Sequence, residues 1–169
     1  YFIIIMMADN GNNNNVFVYT GGDQVVPRDV TRAIIDSSVD TIRASAFLER
    51  KYLVSIEIHD GVKKNQELAF EECTSLRGIH LPGVRVIEAG AFRFCRELES
   101  VAFGNQLETI ELQAFFRCTS LRSVKLPQVK VIGDGAFNEC TQLREAELSE
   151  DLQRIQEEAF CECPRLERI

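Results

Sequence analysis

The chain contains no tryptophan, only two histidines and no C-x-x-C pair. Without paired cysteines or a pair of histidines, a zinc site has no ligand set of the usual spacing. Lysine and arginine number 19 against 26 aspartates and glutamates, which gives a net charge of −7. This balance argues against a nucleic-acid-binding protein, because such a protein neutralises phosphates with a basic patch. The apolar run Tyr1–Ala8 is too short for membrane insertion, which takes ~20 such residues.

The apolar content of the chain is sufficient for one folded domain. Of its 169 residues, 45% are hydrophobic and 27% are charged, as in a soluble protein with a substantial core. Residues 1–24 differ, because the apolar start is followed by the asparagine-rich stretch Asp9–Asn15, and we predict that this segment is disordered. Two interpretations of the apolar start stay open. Translation starts at Met6 or Met7, which we favour, or the run is the remnant of a signal peptide.

An internal repeat organises residues 25–169. Ala-Phe pairs recur at steps of 22 or 23 residues, and a leucine follows each phenylalanine six positions later. In the first part of the unit apolar residues lie three and four positions apart, which is typical of a helix. In the last part apolar and polar residues alternate, which is typical of a strand. Such units must stack to bury their apolar faces. The six pairs are Ala46-Phe47, Ala69-Phe70, Ala91-Phe92, Ala114-Phe115, Ala136-Phe137 and Ala159-Phe160.

The repeated motifs resemble those of leucine-rich repeats. The run containing Leu76, Ile79 and Leu81 resembles the strand signature of that family, and the block Ala-Phe-x-x-Cys-x-x-Leu resembles its BspA-like class. The resemblance implies an α/β solenoid of about six to seven coils over residues 25–169. Each coil is expected to consist of a short parallel β-strand and a short helical turn, and the domain lacks an evident C-terminal cap.

Three features depart from the regular pattern. Asn65 stands where an isoleucine is expected before Phe70, and Arg50 stands where a cysteine is expected after Phe47. Both lie toward the N-terminal end, where we expect the stack to be least regular. Residues 30–35 read as a degenerate first strand that caps the stack.

Six cysteines raise the question of whether the chain carries thiol chemistry. Five of them occupy one position of the repeat, and only Cys161 does not. A metal site, disulfides and a nucleophile are all weighed against a fourth interpretation, in which these cysteines are buried free thiols that act as small hydrophobic residues. We favour the fourth, because equivalent side chains in a solenoid point the same way and because no histidine is placed to act as a base. The five are Cys73, Cys95, Cys118, Cys140 and Cys163.

The exposed positions of the predicted strands form the candidate binding face. Strand alternation places one row of side chains between the buried apolar positions and a second row beside it. His80 and His59 lie on neighbouring coils, and an ordinary solvated pair is a better interpretation of them than a metal site with Glu57. The central row is Glu57, His80, Ala102, Lys125 and Glu147, and the flanking row is Ser55, Gly78, Ser100, Ser123 and Glu145.

The resemblance implies a non-catalytic leucine-rich repeat module that binds a protein partner through its concave sheet. The alternative hypothesis is a structural spacer, either a fragment of a longer repeat array or part of a surface adhesin. No catalytic residues, cofactor or metal ligands are predicted, because no acid, base and nucleophile converge in the pattern. Nucleic-acid binding and membrane insertion are not expected. An intracellular location is favoured over secretion because a complete signal peptide is not recognised.

Overall fold

The computed structural model describes residues 16–169, which form a solenoid of about six turns. One side of the solenoid carries a row of longer strands, and a second side carries a row of two-residue strands. The longer strands are β1 (Val16–Tyr19), β2 (Arg32–Ile35), β4 (Ser55–Glu57), β6 (Gly78–Leu81), β8 (Ser100–Phe103), β10 (Ser123–Leu126) and β12 (Glu145–Leu148). The short strands are β3 (Thr41–Ile42), β5 (Lys64–Asn65), β7 (Val86–Ile87), β9 (Thr109–Ile110), β11 (Val131–Ile132) and β13 (Arg154–Ile155).

All paired strands are parallel, because each coil repeats the direction of the one before it. The short strands form one six-stranded sheet. The longer strands form two sheets, β1-β2-β4 and β6-β8-β10-β12, with no ladder between β4 and β6 in the described residues. The irregularity of the stack therefore lies between two longer strands. At Asn65 the ladder is regular, since this residue pairs in register with Ile42 and Ile87.

The predicted helical turn is wrong, and with it the α/β class, because residues 16–169 contain no helix. In its place each coil has a segment in which residues in the left-handed region interrupt the helical path, as Ser45 and Glu49 do with φ of 57°. The N–H groups of Ser45, Phe47 and Glu49 donate to carbonyl oxygens of the next coil at 2.7–3.0 Å. Since these donors bond between coils, they are not available for a helix. The fold is therefore an all-β solenoid.

A column of aromatic rings fills the centre of the solenoid. The six phenylalanines of the Ala-Phe pairs stack with centroids 5.0–5.2 Å apart and ring planes within 15° of each other. This distance matches the ~4.8 Å spacing of adjacent strands, so each coil adds one ring to the column. Phe47 to Phe137 are fully buried. Burial of this column and of the leucine column beside it is the main source of the stability of the fold.

The N-terminal boundary differs from the prediction. Residues 1–24 were expected to be disordered, but Val16–Tyr19 forms strand β1 and pairs with β2. Tyr19 is buried, and its ring packs against Phe47 with centroids 5.3 Å apart. Residues 30–35 therefore contribute the second strand of the row and not the first. The expectations for Tyr1–Ala8, for a start at Met6 or Met7 and for Asp9–Asn15 concern residues outside the described part of the chain.

Candidate interaction surface

The outward side of the longer strands, here called the sheet face, presents the residues that the sequence pattern selects. Every member of the central row, from Glu57 to Glu147, is exposed. In the flanking row Ser55, Ser100 and Ser123 are exposed, and Gly78 and Glu145 are partly exposed. Alternation along each strand causes this arrangement, because the neighbours of these residues point into the core. The structure therefore brings the candidate residues together on one surface.

The charges of the sheet face are locally paired at its C-terminal end. Lys125 and Glu147 lie opposite each other in the ladder of β10 and β12, and the Lys125 Nζ atom is 2.9 Å from the Glu147 Oε2 atom. This hydrogen bond raises the pKa of the Lys125 ammonium group. In the next row an Arg168 guanidinium nitrogen is 3.4 Å from a Glu145 carboxylate oxygen. Both pairs are exposed, so each contributes little to folding.

Toward its N-terminal end the sheet face becomes apolar, which the sequence analysis missed. Val18 and Ile34 continue the central row, since they pair in register with each other and Ile34 pairs with Glu57. Val18 is 45% exposed and Ile34 is half-buried. The signal was present in the sequence as the run of β-branched and aromatic residues from Val16 to Tyr19, which is typical of a strand.

The two histidines do not form a site together. His80 is exposed on the sheet face, whereas His59 is half-buried in the loop after β4. The Nδ1 atom of His59 accepts the Gly61 N–H at 3.1 Å, so its Nε2 atom carries the proton and donates to the Asp36 carbonyl oxygen at 3.0 Å. Both ring nitrogens of His59 are thus occupied by backbone groups. Within residues 16–169 no cluster of metal-ligating side chains occurs.

The cysteine column lies behind this surface, in the core. All six cysteines are free thiols, four of the column are buried, and Cys163 is half-buried. Each column thiol donates to the carbonyl oxygen of a phenylalanine in a neighbouring coil at 3.1–3.2 Å. Burial raises the pKa of the Cys73 thiol to about 12, and it raises the pKa values of Cys95, Cys118 and Cys140 well above the usual range. These groups are therefore neutral packing residues with one hydrogen bond each.

Comparison with known proteins identifies the repeat. The model of the BspA-type leucine-rich repeat region matches residues 28–127 and 69–169, with six copies. The chain belongs to the BspA-type leucine-rich repeat family. A comparison with the curated proteins found no match.

Solved structures of bacterial leucine-rich repeat proteins are similar to this chain. A leucine-rich repeat protein of T. pallidum is 34% identical, with a TM-score of 0.72 over 80% of this chain and 64% of that one. A leucine-rich cell surface protein of Faecalibacterium prausnitzii is 30% identical, with a TM-score of 0.63 over 72% of this chain and 34% of that one. A leucine-rich repeat protein of Eubacterium ventriosum is 25% identical, with a TM-score of 0.75 over 84% of this chain and 40% of that one. The chain thus spans between about a third and two thirds of their length.

Arg50 shows how this BspA-type chain accommodates a departure from the repeat. It occupies the cysteine position of its coil, and its Nε atom donates to the Val26 carbonyl oxygen at 2.9 Å. Cys73, one coil later, donates in the same way to the Phe47 carbonyl oxygen at 3.1 Å. Both side chains thus donate a hydrogen bond to the preceding coil, and Arg50 has space for a longer side chain because it is only partly buried.

A cluster of aromatic and arginine side chains on the turn segments also escaped the sequence analysis. The rings of Phe94 and Phe116 meet edge to face with centroids 5.5 Å apart. The Arg117 guanidinium lies over both rings, 5.8 and 5.2 Å from their centroids, and its Nε atom is 2.8 Å from the Glu139 carboxylate. Its pKa is raised by this hydrogen bond. These contacts join three successive coils, so the cluster stabilises the turn side of the stack.

As to membranes, the described residues include no helix with the length and apolarity needed to cross one.

Proposed function

We propose that this chain is a non-catalytic leucine-rich repeat module that binds a protein partner through the sheet face, the concave face of such solenoids. The observation that carries the proposal is the row of exposed and half-buried side chains from Val18 to Glu147, held on two adjoining sheets of parallel strands. Membership of a repeat family supports it, because stacked repeats present extended binding surfaces. Burial raises the pKa values of Cys73, Cys95, Cys118 and Cys140, so these four thiols do not supply a nucleophile.

The chemistry of the face indicates what such a partner must match. The apolar end at Val18 and Ile34 suits apolar side chains, and the paired end at Lys125 and Glu147 suits polar contacts of both signs. Ala102, between the two ends, leaves space for a bulky side chain of the partner. A mixed surface of this kind favours specificity over a large electrostatic contribution to affinity.

The test is a capture experiment with two variants of equal charge change. The first variant replaces Glu57, His80, Lys125 and Glu147 by alanine on the sheet face. The control replaces Glu108, Lys130, Gln153 and Glu157, all exposed and away from the sheet face. Each set removes two glutamates, one lysine and one neutral polar residue, and each removes one cross-coil ion pair, of 2.9 Å and 3.3 Å respectively.

We expect the sheet-face variant to lose partners that the wild type and the control variant retain. Circular dichroism of all three proteins checks that the strands are intact. If the sheet-face variant and the wild type retain the same partners, the binding role of this face is wrong.

A structural spacer within a longer array or a surface adhesin is the second candidate function. It is favoured by the share of the similar solved proteins that this chain covers, 34% to 64%, and by the cell surface description of one of them. For a spacer, removal of one 45-residue pair of coils shortens the molecule without abolishing its role. Retention of every captured partner by such a shortened chain, together with retention by the sheet-face variant, would favour the spacer.

An intracellular location stays a prediction from the sequence, and immunolocalisation of the native protein checks it.

A further inference from the structure

A polar groove lies at the start of strands β8, β10 and β12, beside the flanking row of the sheet face. It has a volume of about 460 Å³ and is lined by Glu99, Ser120, Arg122, Gln142 and Arg144. Arg122 and Arg144 occupy the same position of successive coils, and the Arg144 N–H donates to the Arg122 carbonyl oxygen at 2.9 Å. The register of the solenoid therefore places Arg122 and Arg144 on neighbouring coils, and both line the groove.

The positive charge of this groove is incompletely neutralised. A guanidinium nitrogen of Arg122 is 3.3 Å from the Glu99 carboxylate, but both side chains are largely exposed, so this pair is weak and exchangeable. Arg144 is exposed and has no carboxylate within 4.0 Å among residues 16–169. Glu167 is the next residue in its column, and within the described part of the chain its carboxylate forms no ion pair with Arg144. In a chain of net charge −7, this groove is a local site of positive charge.

The other lining groups are arranged to donate hydrogen bonds. The Gln142 Oε1 atom accepts from an Arg165 guanidinium nitrogen at 2.6 Å, which leaves the amide N–H groups of Gln142 as donors and brings a third cation to the edge of the groove. The Ser120 side chain is partly exposed among the lining residues. Two planar guanidinium forks with amide and hydroxyl donors suit a planar oxyanion, which such forks bind through two parallel hydrogen bonds.

We propose that this groove binds a carboxylate group supplied by an acidic segment of the protein partner. The inference rests on the proposed function, because the groove adjoins the sheet face and a segment lying on that face reaches it. A carboxylate is favoured over a phosphate because Glu99 lines the groove and repels a dianion more strongly than a monoanion. The groove thus selects acidic partners at one end of a surface that is otherwise mixed in charge.

The test uses the full chain labelled with ¹⁵N and follows the Nε–Hε signals of Arg122 and Arg144, assigned with the variants Arg122→Gln and Arg144→Gln. The probe is the blocked tripeptide Glu-Gly-Glu, and its matched control is Gln-Gly-Gln. We expect the acidic probe to shift both signals in a saturable manner and the amide probe to leave them unchanged. The affinity should fall as salt screens the charges. In Arg144→Gln it should fall about tenfold or more, since a charge-assisted hydrogen bond is lost.

Arg154→Gln is the matched control variant, because Arg154 is exposed on strand β13, away from the groove. An equal loss of affinity in Arg154→Gln, or equal shifts with the amide probe, would overturn the proposal. Titration with inorganic phosphate separates the two oxyanions, and tighter binding of phosphate than of the acidic probe would show that the carboxylate assignment is wrong. The sheet-face variant used for capture keeps Arg122 and Arg144. If the sheet-face variant loses its partners while the wild type does not bind the acidic probe, the carboxylate-binding role of the groove is refuted and the proposed function stands.

Discussion

The thiol of Cys118 donates a hydrogen bond of 3.2 Å to the carbonyl oxygen of Phe92, in the preceding coil. The same bond recurs at each cysteine of the column. The thiol is a second donor, because the Phe92 carbonyl oxygen also accepts the backbone N–H of Cys95 at 3.1 Å. The position therefore favours a side chain that supplies a weak second donor and that is small, because a bulkier side chain has no space here. Cysteine meets both requirements because it is small, apolar and a weak donor. The column is thus explained by packing and not by redox or metal chemistry.

The first prediction concerns the aromatic column. Phe115→Ala removes a fully buried ring that stacks on Phe92 and Phe137, and it should lower the free energy of unfolding by ~3–5 kcal/mol. Phe160→Ala is the control, since Phe160 is only partly buried and stacks on Phe137. Its cost should be clearly smaller. Urea unfolding of both variants provides the measurement. Equal decreases in the free energy of unfolding would show that the greater burial of Phe115 within the column does not add to stability.

The second prediction concerns Asn65, which is fully buried within the short-strand sheet. Among residues 16–169 neither its Oδ1 nor its Nδ2 atom has a hydrogen-bond partner, and the equivalent positions before and after it are Ile42 and Ile87. Asn65→Ile should therefore raise the free energy of unfolding by about 1–3 kcal/mol, because an unsatisfied buried amide is replaced by an apolar group. Ile110→Asn is the reciprocal control and should destabilise. If Asn65→Ile destabilises, the amide makes compensating contacts in solution.

The third prediction is a dependence of stability on alkaline pH. Burial raises the pKa of Cys118 above its ordinary value of 9.0 in the folded state. For such a group the stabilisation is fully present below the unfolded pKa and is lost as the pH rises toward the folded pKa. The unfolding free energy should thus fall by about 1.4 kcal/mol per pH unit for each buried thiol above the unfolded pKa.

Urea unfolding at several pH values between about 8 and 10.5 measures this slope. Cys118→Val removes the share of one thiol and should make the slope shallower. Equal slopes in the wild type and Cys118→Val would contradict the prediction.

The fourth prediction concerns the left-handed residue that precedes each Ala-Phe pair. Gly90 and Gly135 occupy this position with φ of 60° and 56°. An added Cβ at Gly90 meets the Leu68 Cδ2 atom at 2.5 Å, whereas at Gly135 its nearest contact is the Gln113 Cγ atom at 3.4 Å. The left-handed conformation should lower the free energy of unfolding of both alanine variants by ~1–2 kcal/mol. The decrease should be larger for Gly90→Ala because of the contact with Leu68.

Thermal unfolding of the two alanine variants checks the difference. Leu68→Ala combined with Gly90→Ala should recover part of the excess cost, because it removes the crowded methyl group. An equal cost of the two single variants would show that the Leu68 side chain moves aside freely.

Much of the architecture follows from the sequence alone. The period of 22 or 23 residues requires stacked coils, because one coil cannot bury its own apolar face. Alternation within each strand then determines that Glu57, His80 and Lys125 are exposed while Ile56, Ile79 and Val124 are buried. These conclusions depend on a pattern repeated six times, so a departure at one coil does not change the interpretation of the other five.

The tertiary structure decided what a local pattern cannot. Spacings of three and four predicted a helix in each coil, but the backbone N–H groups of Ser45 and Phe47 bond to the next coil, and only stacking creates those acceptors. Stacking also gives β1 a partner and thereby orders Val16–Tyr19. The groove between Arg122 and Arg144 arises in the same way, since residues 22 positions apart become neighbours only when the coils are in register.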